Sequence, residues 1–223
     1  MHSLTEENYL KAIYKLLEKG EKKISTTAIA ALVETAPASV TDMLKKLAEK
    51  KLIRYEKYQG VTLSGSGKKV AVDIIRKHRL WEFFLVEKLG FSWDQVHDIA
   101  EQLEHIKSEA LITRLDHFLG NPKADPHGDP IPDEHGVFHA LNTIPLSAVT
   151  VNVPVIITGV IDHRPVFLRF LEKEGYALGK KILVKEKLEI DQSVNLLLSG
   201  SKKLKHISHD VARNILVLPE KTK

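Results

Sequence analysis

Apolar positions in the first fifty residues recur at helical spacing and are broken twice. Tyr9, Ala12, Ile13, Leu16 and Leu17 make one stripe, which predicts a helix over residues 5–19. Ser3 and Glu6 stand at capping-box spacing ahead of it, with Thr5 as a competing cap, and Gly20 stops it. Residues 26–33 predict a short helix. After a break at Glu34-Thr35-Ala36, Pro37 takes a natural first helical position, although Ala36 is a poor cap. The third helix runs to about Lys51 on a core stripe of Val40, Met43, Leu44 and Leu47. Then Leu52–Tyr58 and Val61–Leu63 flank Gln59-Gly60 as two short strands around a turn.

Short helix, tight turn, longer helix and hairpin is the order of a winged helix-turn-helix. In that reading the helix from Pro37 is the recognition helix. Ser39, Thr41, Asp42, Lys45 and Lys46 occupy its non-core face, and Lys57, Tyr58 and Gln59 sit at the hairpin tip, for contact with double-stranded DNA. Residues 66–89 predict a long helix that is apolar almost all round from Leu80 to Leu89. Such a helix has to be covered, and a homodimer interface would cover it. A further helix is expected over 93–118. Residues 120–145, rich in Pro, Gly, Asp and His, read as a loop. From residue 149 the pattern turns to strands, at 149–162, 181–190, 193–199 and 215–218, with a short helix at 165–175 and a turn at Gly200. A small SH3-like β-barrel fits them. The expected fold is mainly α with β, in three domains: winged helix-turn-helix (1–73), helical (74–145) and SH3-like (146–223).

Charge sharpens this division. Residues 1–73 carry 13 Lys/Arg and 9 Asp/Glu, residues 74–145 carry 7 and 12, and residues 146–223 carry 13 and 8. A basic head suits a phosphate backbone, and an acidic middle suits a cation. The chain has no cysteine, so any metal site must use nitrogen and oxygen donors. No apolar run reaches the length of a membrane span, and the N-terminus lacks a basic-then-apolar signal segment, so a cytoplasmic location is expected. No nucleophile motif or phosphate-binding glycine loop points to an enzyme.

The acidic middle has a pattern of its own. On a continuous helix, His97, Glu101, Glu104 and His105 fall on one face, while Ile99, Leu103, Ile106 and Ala110 take the other. One helix earlier, His78 and Glu82 are spaced i, i+4. Imidazoles and carboxylates gathered this way can hold a divalent cation, and facing helices commonly share such sites. A solvated polar face with a Glu104–Lys107 pair is the simpler alternative. Asp125-Pro-His127 offers further donors from a stiff segment, or else is a polar linker.

The chain resembles the metal-dependent repressors typified by the diphtheria toxin repressor and the manganese transport regulators. The resemblance covers nearly its whole length. It rests on Tyr9-Leu-Lys-Ala-Ile-Tyr14, Pro37-Ala-Ser-Val-Thr41, Lys77-His-Arg-Leu80, Val96-His97-Asp98, Glu104-His105 and Asp125-Pro-His127-Gly-Asp-Pro-Ile-Pro132. It implies a homodimer that represses metal-homeostasis genes when a divalent corepressor is bound, with the C-terminal domain loosely tethered. It places Asn8, Glu101, Glu104 and His105 in a primary site. His78, Glu82 and His97 form an ancillary site, which Asp125, His127 and Asp162 join in the three-domain manganese branch. Glu101 stands where the iron branch has cysteine, and a hard carboxylate favours Mn(II), then Fe(II), with Zn(II) or Co(II) able to bind in vitro. Asn8 matches neither the methionine of the iron branch nor the aspartate of the manganese branch. Lys11 replaces a ligand glutamate of the two-domain manganese regulators, which argues against a close two-metal cluster. The iron-branch ligands of the C-terminal domain align near His163 and Val166.

Overall fold

A computed structural model of the chain describes residues 2–21, 23–56, 60–139 and 141–219. Lys57, Tyr58 and Gln59, expected at the hairpin tip, lie outside the described residues. In chain order the elements are α1 (Leu4–Glu18), α2 (Thr26–Leu32), α3 (Pro37–Glu49), β1 (Ile53–Glu56), β2 (Gly60–Leu63), α4 (Gly65–Leu89), α5 (Val96–Leu103), α6 (Glu109–Phe118) and β3 (Ile144–Pro145). They continue as β4 (Pro154–Val160), α7 (Pro165–Lys173), β5 (Lys181–Lys187), β6 (Val194–Leu198), β7 (Lys205–Ile207), α8 (His209–Arg213) and β8 (Ile215–Pro219).

These elements pack as two compact units, each discontinuous in sequence. The first takes the chain through His78, Glu101–Arg114 and Pro132–Phe138. The second takes Arg79–Ala100, Leu115–Ile131 and the chain from His139 onward. The residues of helix α4 divide between the two after His78.

The first unit is the expected winged helix-turn-helix. Leu10, Ile13, Ile29, Val40, Leu44 and Leu47 are buried together with Val61 of the hairpin and Ala71, Val72 and Ile75 of α4. The hairpin is antiparallel, with Ile53 opposite Leu63 and Tyr55 opposite Val61. Ser3, and not Thr5, caps α1. Its hydroxyl accepts from the Glu6 amide at 3.3 Å, while the Glu6 carboxylate accepts from the Ser3 amide at 3.1 Å. Ala36 makes no side-chain cap, and Pro37 alone marks the start of α3.

Glu6 also reaches across to the recognition helix. Its carboxylate, almost wholly removed from solvent, takes Lys50 at 2.8 Å and Lys46 at 3.0 Å. Burial pushes the Glu6 pKa upward, but the Lys50 hydrogen bond, the Ser3 amide and Lys46 outweigh it and bring it down to about 2 from an ordinary 4.5. Lys46, expected to face DNA, is half exposed and also ties α3 to α1 through Glu6.

One continuous helix over 93–118 does not form. Helix α5 ends at Leu103, and α6 begins at Glu109 behind Ser108. The Ser108 hydroxyl accepts from the Leu111 amide at 3.3 Å, and its carbonyl accepts from Ile112 at 3.2 Å. Glu104 and His105 thus lie in the link between two helices. The single-face argument that grouped them with His97 does not hold.

The second unit is built on a six-stranded antiparallel sheet of order β3-β8-β4-β5-β6-β7. Period-two burial is clear in β6, where Val194, Leu196 and Leu198 point inward, and in β8, where Ile215 and Val217 do. Helix α7 closes this core with Phe167, Leu168 and Leu171. Strands β3 and β7 and helix α8, at two to five residues, were too short to register as patterns.

Residues 124–131 join the sheet closely, unlike the loose tether implied by the resemblance. Val160 donates its amide to the His127 carbonyl at 2.8 Å. Gly128 has φ +90°, and a Cβ there would stand 2.1 Å from the Thr158 carbonyl oxygen, so no other residue fits without moving backbone. The Trp93 indole donates to the Leu168 carbonyl at 3.2 Å, and Arg169 pairs with Asp94 at 3.0 Å.

Glu6→Gln should destabilise the chain at neutral pH, because the folded pKa lies below the unfolded one. The loss should be full above about pH 4.5 and should shrink as pH falls toward 2, where native Glu6 also protonates. Urea denaturation of both proteins at pH 7 and pH 3 checks this, and an equal difference at both pH values would contradict it.

Candidate metal clusters and recognition helix

In the first unit, α1 and the α5–α6 link bring a set of charged groups together. Glu104, with no exposed surface, accepts from Lys11 Nζ at 2.6 Å through one oxygen and meets His78 Nδ1 at 2.6 Å through the other. Lys11 Nζ also donates to Glu101 at 2.9 Å. One donor atom from each of His78, Glu101 and Glu104 lies within 4.8 Å of the others.

His105 Nδ1 is 2.7 Å from the Glu7 carboxylate, which fixes the ring, and its Nε2 lies 3.8 Å from Glu104. Asn8 follows Glu7 on α1, and its buried Oδ1 has no hydrogen-bond partner among the described residues. An acceptor oxygen left without a donor is what a cation ligand looks like before it is used. The donors brought together here are His78, Glu101 and Glu104, with His105 Nε2 3.8 Å from Glu104, and Lys11 already stands between the two carboxylates.

The second unit holds a second cluster. Glu82 on α4 and Asp125 and His127 in the 124–131 segment are all buried, and one donor atom of each lies within 4.8 Å of the others. His127 Nε2 donates to the Trp93 carbonyl at 2.9 Å, which leaves Nδ1 facing Glu82 at 3.8 Å and Asp125 at 4.0 Å. Asp125 Oδ1 accepts from the amides of His127 at 2.8 Å and Asp129 at 3.0 Å, which sets the turn.

Arg79 approaches Asp125 only to 3.7 Å and is bound to the Pro130 carbonyl at 2.6 Å. Burial, with the Glu82 and Asp129 charges, pushes Asp125 far above the usual carboxylate range. Burial alone would lower His127, but the Glu82 hydrogen bond and the Asp125 and Glu82 charges raise it to about 9. Two buried carboxylates and an imidazole with donor atoms this close together could hold a divalent cation.

The remaining expected ligands are distributed as follows. His97 is half exposed and reaches Glu82 at 3.3 Å. His78, expected in the ancillary set, meets Glu104 through Nδ1 at 2.6 Å. The Asp162 carboxylate is not gathered with the second cluster. Arg164 grips it at 2.6 and 3.0 Å, and that pairing lowers its pKa. Its neighbour His163 stacks on the His127 ring, with centroids 4.9 Å apart. Val166 stays on the surface.

Sequence pattern missed Glu7, Lys11, Arg79, Asp129 and Trp93 as parts of these clusters. Glu7 could have been noticed as the carboxylate beside Asn8. The others act through contacts across long sequence gaps.

On α3, Pro37, Ser39, Asp42 and Lys45 are exposed, and Thr41 is partly so. Thr41 donates back to the Pro37 carbonyl at 3.3 Å, and Lys45 pairs with Asp42 at 3.1 Å. On the second unit, Leu89 and Phe118 are more than half exposed. Of the apolar run on α4, Leu80, Trp81 and Leu85 are buried, whereas Phe83, Phe84 and Val86 are only partly covered. No helix among the described residues is long and apolar enough to cross a membrane.

Residues 1–61 match the iron-dependent repressor N-terminal DNA-binding domain, and residues 64–133 match the iron-dependent repressor metal-binding and dimerisation domain. The iron-dependent repressor IdeR of Mycobacterium leprae is 34% identical over 128 residues, which cover 57% of this chain and 55% of that protein. The match thus spans little more than half the length of IdeR. The HTH-type regulator MntR of Oceanobacillus iheyensis is 37% identical over 120 residues, covering 53% of this chain and 80% of MntR. Along nearly the full length, a solved manganese-dependent transcriptional repressor in complex with manganese superposes with a TM-score of 0.82 at 32% identity. That superposition covers 96% of this chain and all of the other. The chain belongs to the family of iron- and manganese-dependent transcriptional repressors.

Proposed function

We propose that the chain is a homodimeric repressor that binds operator DNA when divalent metal, Mn(II) or Fe(II), fills its carboxylate clusters. The observation that carries this reading is the pair of buried donor clusters, one of them in the same compact unit as an exposed recognition helix. A divalent cation would supply concentrated positive charge to these buried carboxylates. Asn8, Glu101, Glu104 and His105 would hold it in the first cluster, with Glu7 orienting the His105 ring. Glu82, Asp125 and His127 would hold it in the second, with His97 beside Glu82.

The route from metal to DNA runs through α1. Glu6 grips α3 through Lys46 and Lys50, while the next residue, Glu7, grips His105 of the α5–α6 link. A cation held by Asn8 and the link would fix α1, and α1 would fix the recognition helix. Metal then favours one conformer by binding it better. Ser39, Thr41 and Lys45 would meet bases and phosphates, and Asp42 would position Lys45. The half-exposed Leu89 and Phe118 support a partner surface, and paired recognition helices would read two half-sites. No part of either cluster is read as catalytic, and the chain is proposed to act in the cytoplasm. Residues 1–73, 74–145 and 146–223 serve as its DNA-binding, metal-and-dimer and SH3-like parts.

Selection from random duplexes in Mn(II) should enrich one sequence. That duplex should bind roughly 10³-fold or more above non-specific DNA, and the gap should vanish with chelator. Enrichment that is equal with chelator would contradict the corepressor reading. On the selected duplex, Lys45→Ala should weaken binding to all sequences and reduce the salt slope by about one unit, whereas Ser39→Ala should alter base preference. If neither change affects binding by metal-loaded protein, α3 is not the reading helix.

The second cluster also predicts a pH dependence. Asp125 and His127 both have raised pKa values, so both hold protons near neutrality and must release them to coordinate. Mn(II) affinity should rise between pH 6 and 8, by up to about ten-fold per pH unit for each proton expelled. A titration giving the same affinity across that range would contradict the assignment.

A further inference from the structure

We propose that Lys11 is the resident cation of the first cluster and the internal competitor of the divalent ion, so that this side chain sets the metal concentration at which the cluster fills. The proposal rests on the metal-binding reading above and goes beyond it by naming what the metal displaces.

Lys11 is only 5% exposed, which is unusual for a lysine. Its ammonium lies 2.6 Å from one Glu104 oxygen and 2.9 Å from one Glu101 oxygen. Those two carboxylates belong to the group whose donor atoms lie within 4.8 Å of one another. The space a metal ion would take is therefore bounded by the oxygens that Lys11 already holds. Glu104 has no exposed surface, and an uncompensated carboxylate there would be strongly destabilising. The tethered ammonium supplies one positive charge where a divalent ion would supply two. Metal can coordinate those oxygens only after both Lys11 contacts break.

Lysine suits this role. Its charge sits on a flexible four-carbon stem that can withdraw, whereas a guanidinium would lock a carboxylate in a two-point grip. The contrast occurs in the same chain, where Arg164 holds Asp162 by several hydrogen bonds. The second cluster is built differently. Its nearby cation, Arg79, is anchored on the Pro130 carbonyl and stands 3.7 Å from Asp125. A cation entering there has no ammonium to expel among the described residues.

The test is Mn(II) titration, followed by the spectroscopic signal of the free ion. It compares the full-length chain carrying Glu82→Gln and Asp125→Asn, so that only the first cluster reports, with the same chain carrying Lys11→Met or Lys11→Gln. Both Lys11 variants should bind Mn(II) at least ~10-fold more tightly, the weight of one charge-assisted hydrogen bond. Their metal-free melting temperatures should fall, and their metal-induced gains should exceed that of the Lys11 parent. The methionine keeps the stem's bulk and the glutamine keeps a polar head, so one of them failing to fold leaves the other to report. Unchanged or weaker Mn(II) affinity in the folded variants overturns the Lys11 assignment and leaves the metal-binding reading standing. Absence of Mn(II) binding by the parent and both variants overturns the first cluster as a metal site and the Lys11 proposal with it.

Discussion

Glu6, Glu82, Glu104 and Asp125 are at most 2% exposed, and a carboxylate so far from water must find a cation or a proton. The chain answers that constraint in three ways. Glu6 is fully satisfied by Lys46, Lys50 and its own helix cap, and it behaves as a fixed strut. Glu104 is satisfied by Lys11 and His78, in a group that also contains candidate metal donors. Glu82 and Asp125 crowd around His127, and that buried charge raises the proton affinity of Asp125 and His127. The progression runs from structural ion pair to a cluster of candidate metal donors.

Helix α1 is where structure and switch meet. Glu6, Glu7 and Asn8 are consecutive and share little of their work. One holds the recognition helix, the next orients His105, and the third turns an unpartnered oxygen into the interior. A rigid helix connecting these three roles gives metal a short mechanical route to DNA, contained within one compact unit. Such a route can act only through differential affinity for two arrangements of α1. Moving a population from 1:99 to 99:1 requires about 5.5 kcal/mol. Ligation of one divalent ion by buried carboxylates is on the scale of that requirement.

Periodicity made the first unit readable. The stripes on α1 and α3, the Pro37 start and the alternating strands all reflect local rules that operate within one turn or one pleat. The break between α5 and α6 was not readable that way, because no glycine or proline marks it. A serine cap at Ser108, together with the contacts that Glu104 and His105 make to groups some 90 residues away, ends the helix there. Pattern grouped His97, Glu101, Glu104 and His105 on one face and paired His78 with Glu82, whereas the division into ligand sets and the place of Asn8 came from family resemblance. Pattern alone also read Lys46 as a DNA contact, whereas its partner Glu6 is visible only in three dimensions. Asp162 and His163 show the same limit. Adjacent in sequence, one is held by Arg164 and the other stacks on His127.

The most direct test of the account is anomalous diffraction from a crystal of the Mn(II)-loaded chain. The account predicts one manganese peak among Glu82, Asp125 and His127, and a second among Asn8, Glu101, Glu104 and His105, with the Lys11 ammonium withdrawn from both carboxylates. Manganese found only at exposed surface carboxylates, with the two buried clusters unchanged and Lys11 still bridging Glu101 and Glu104, would contradict it.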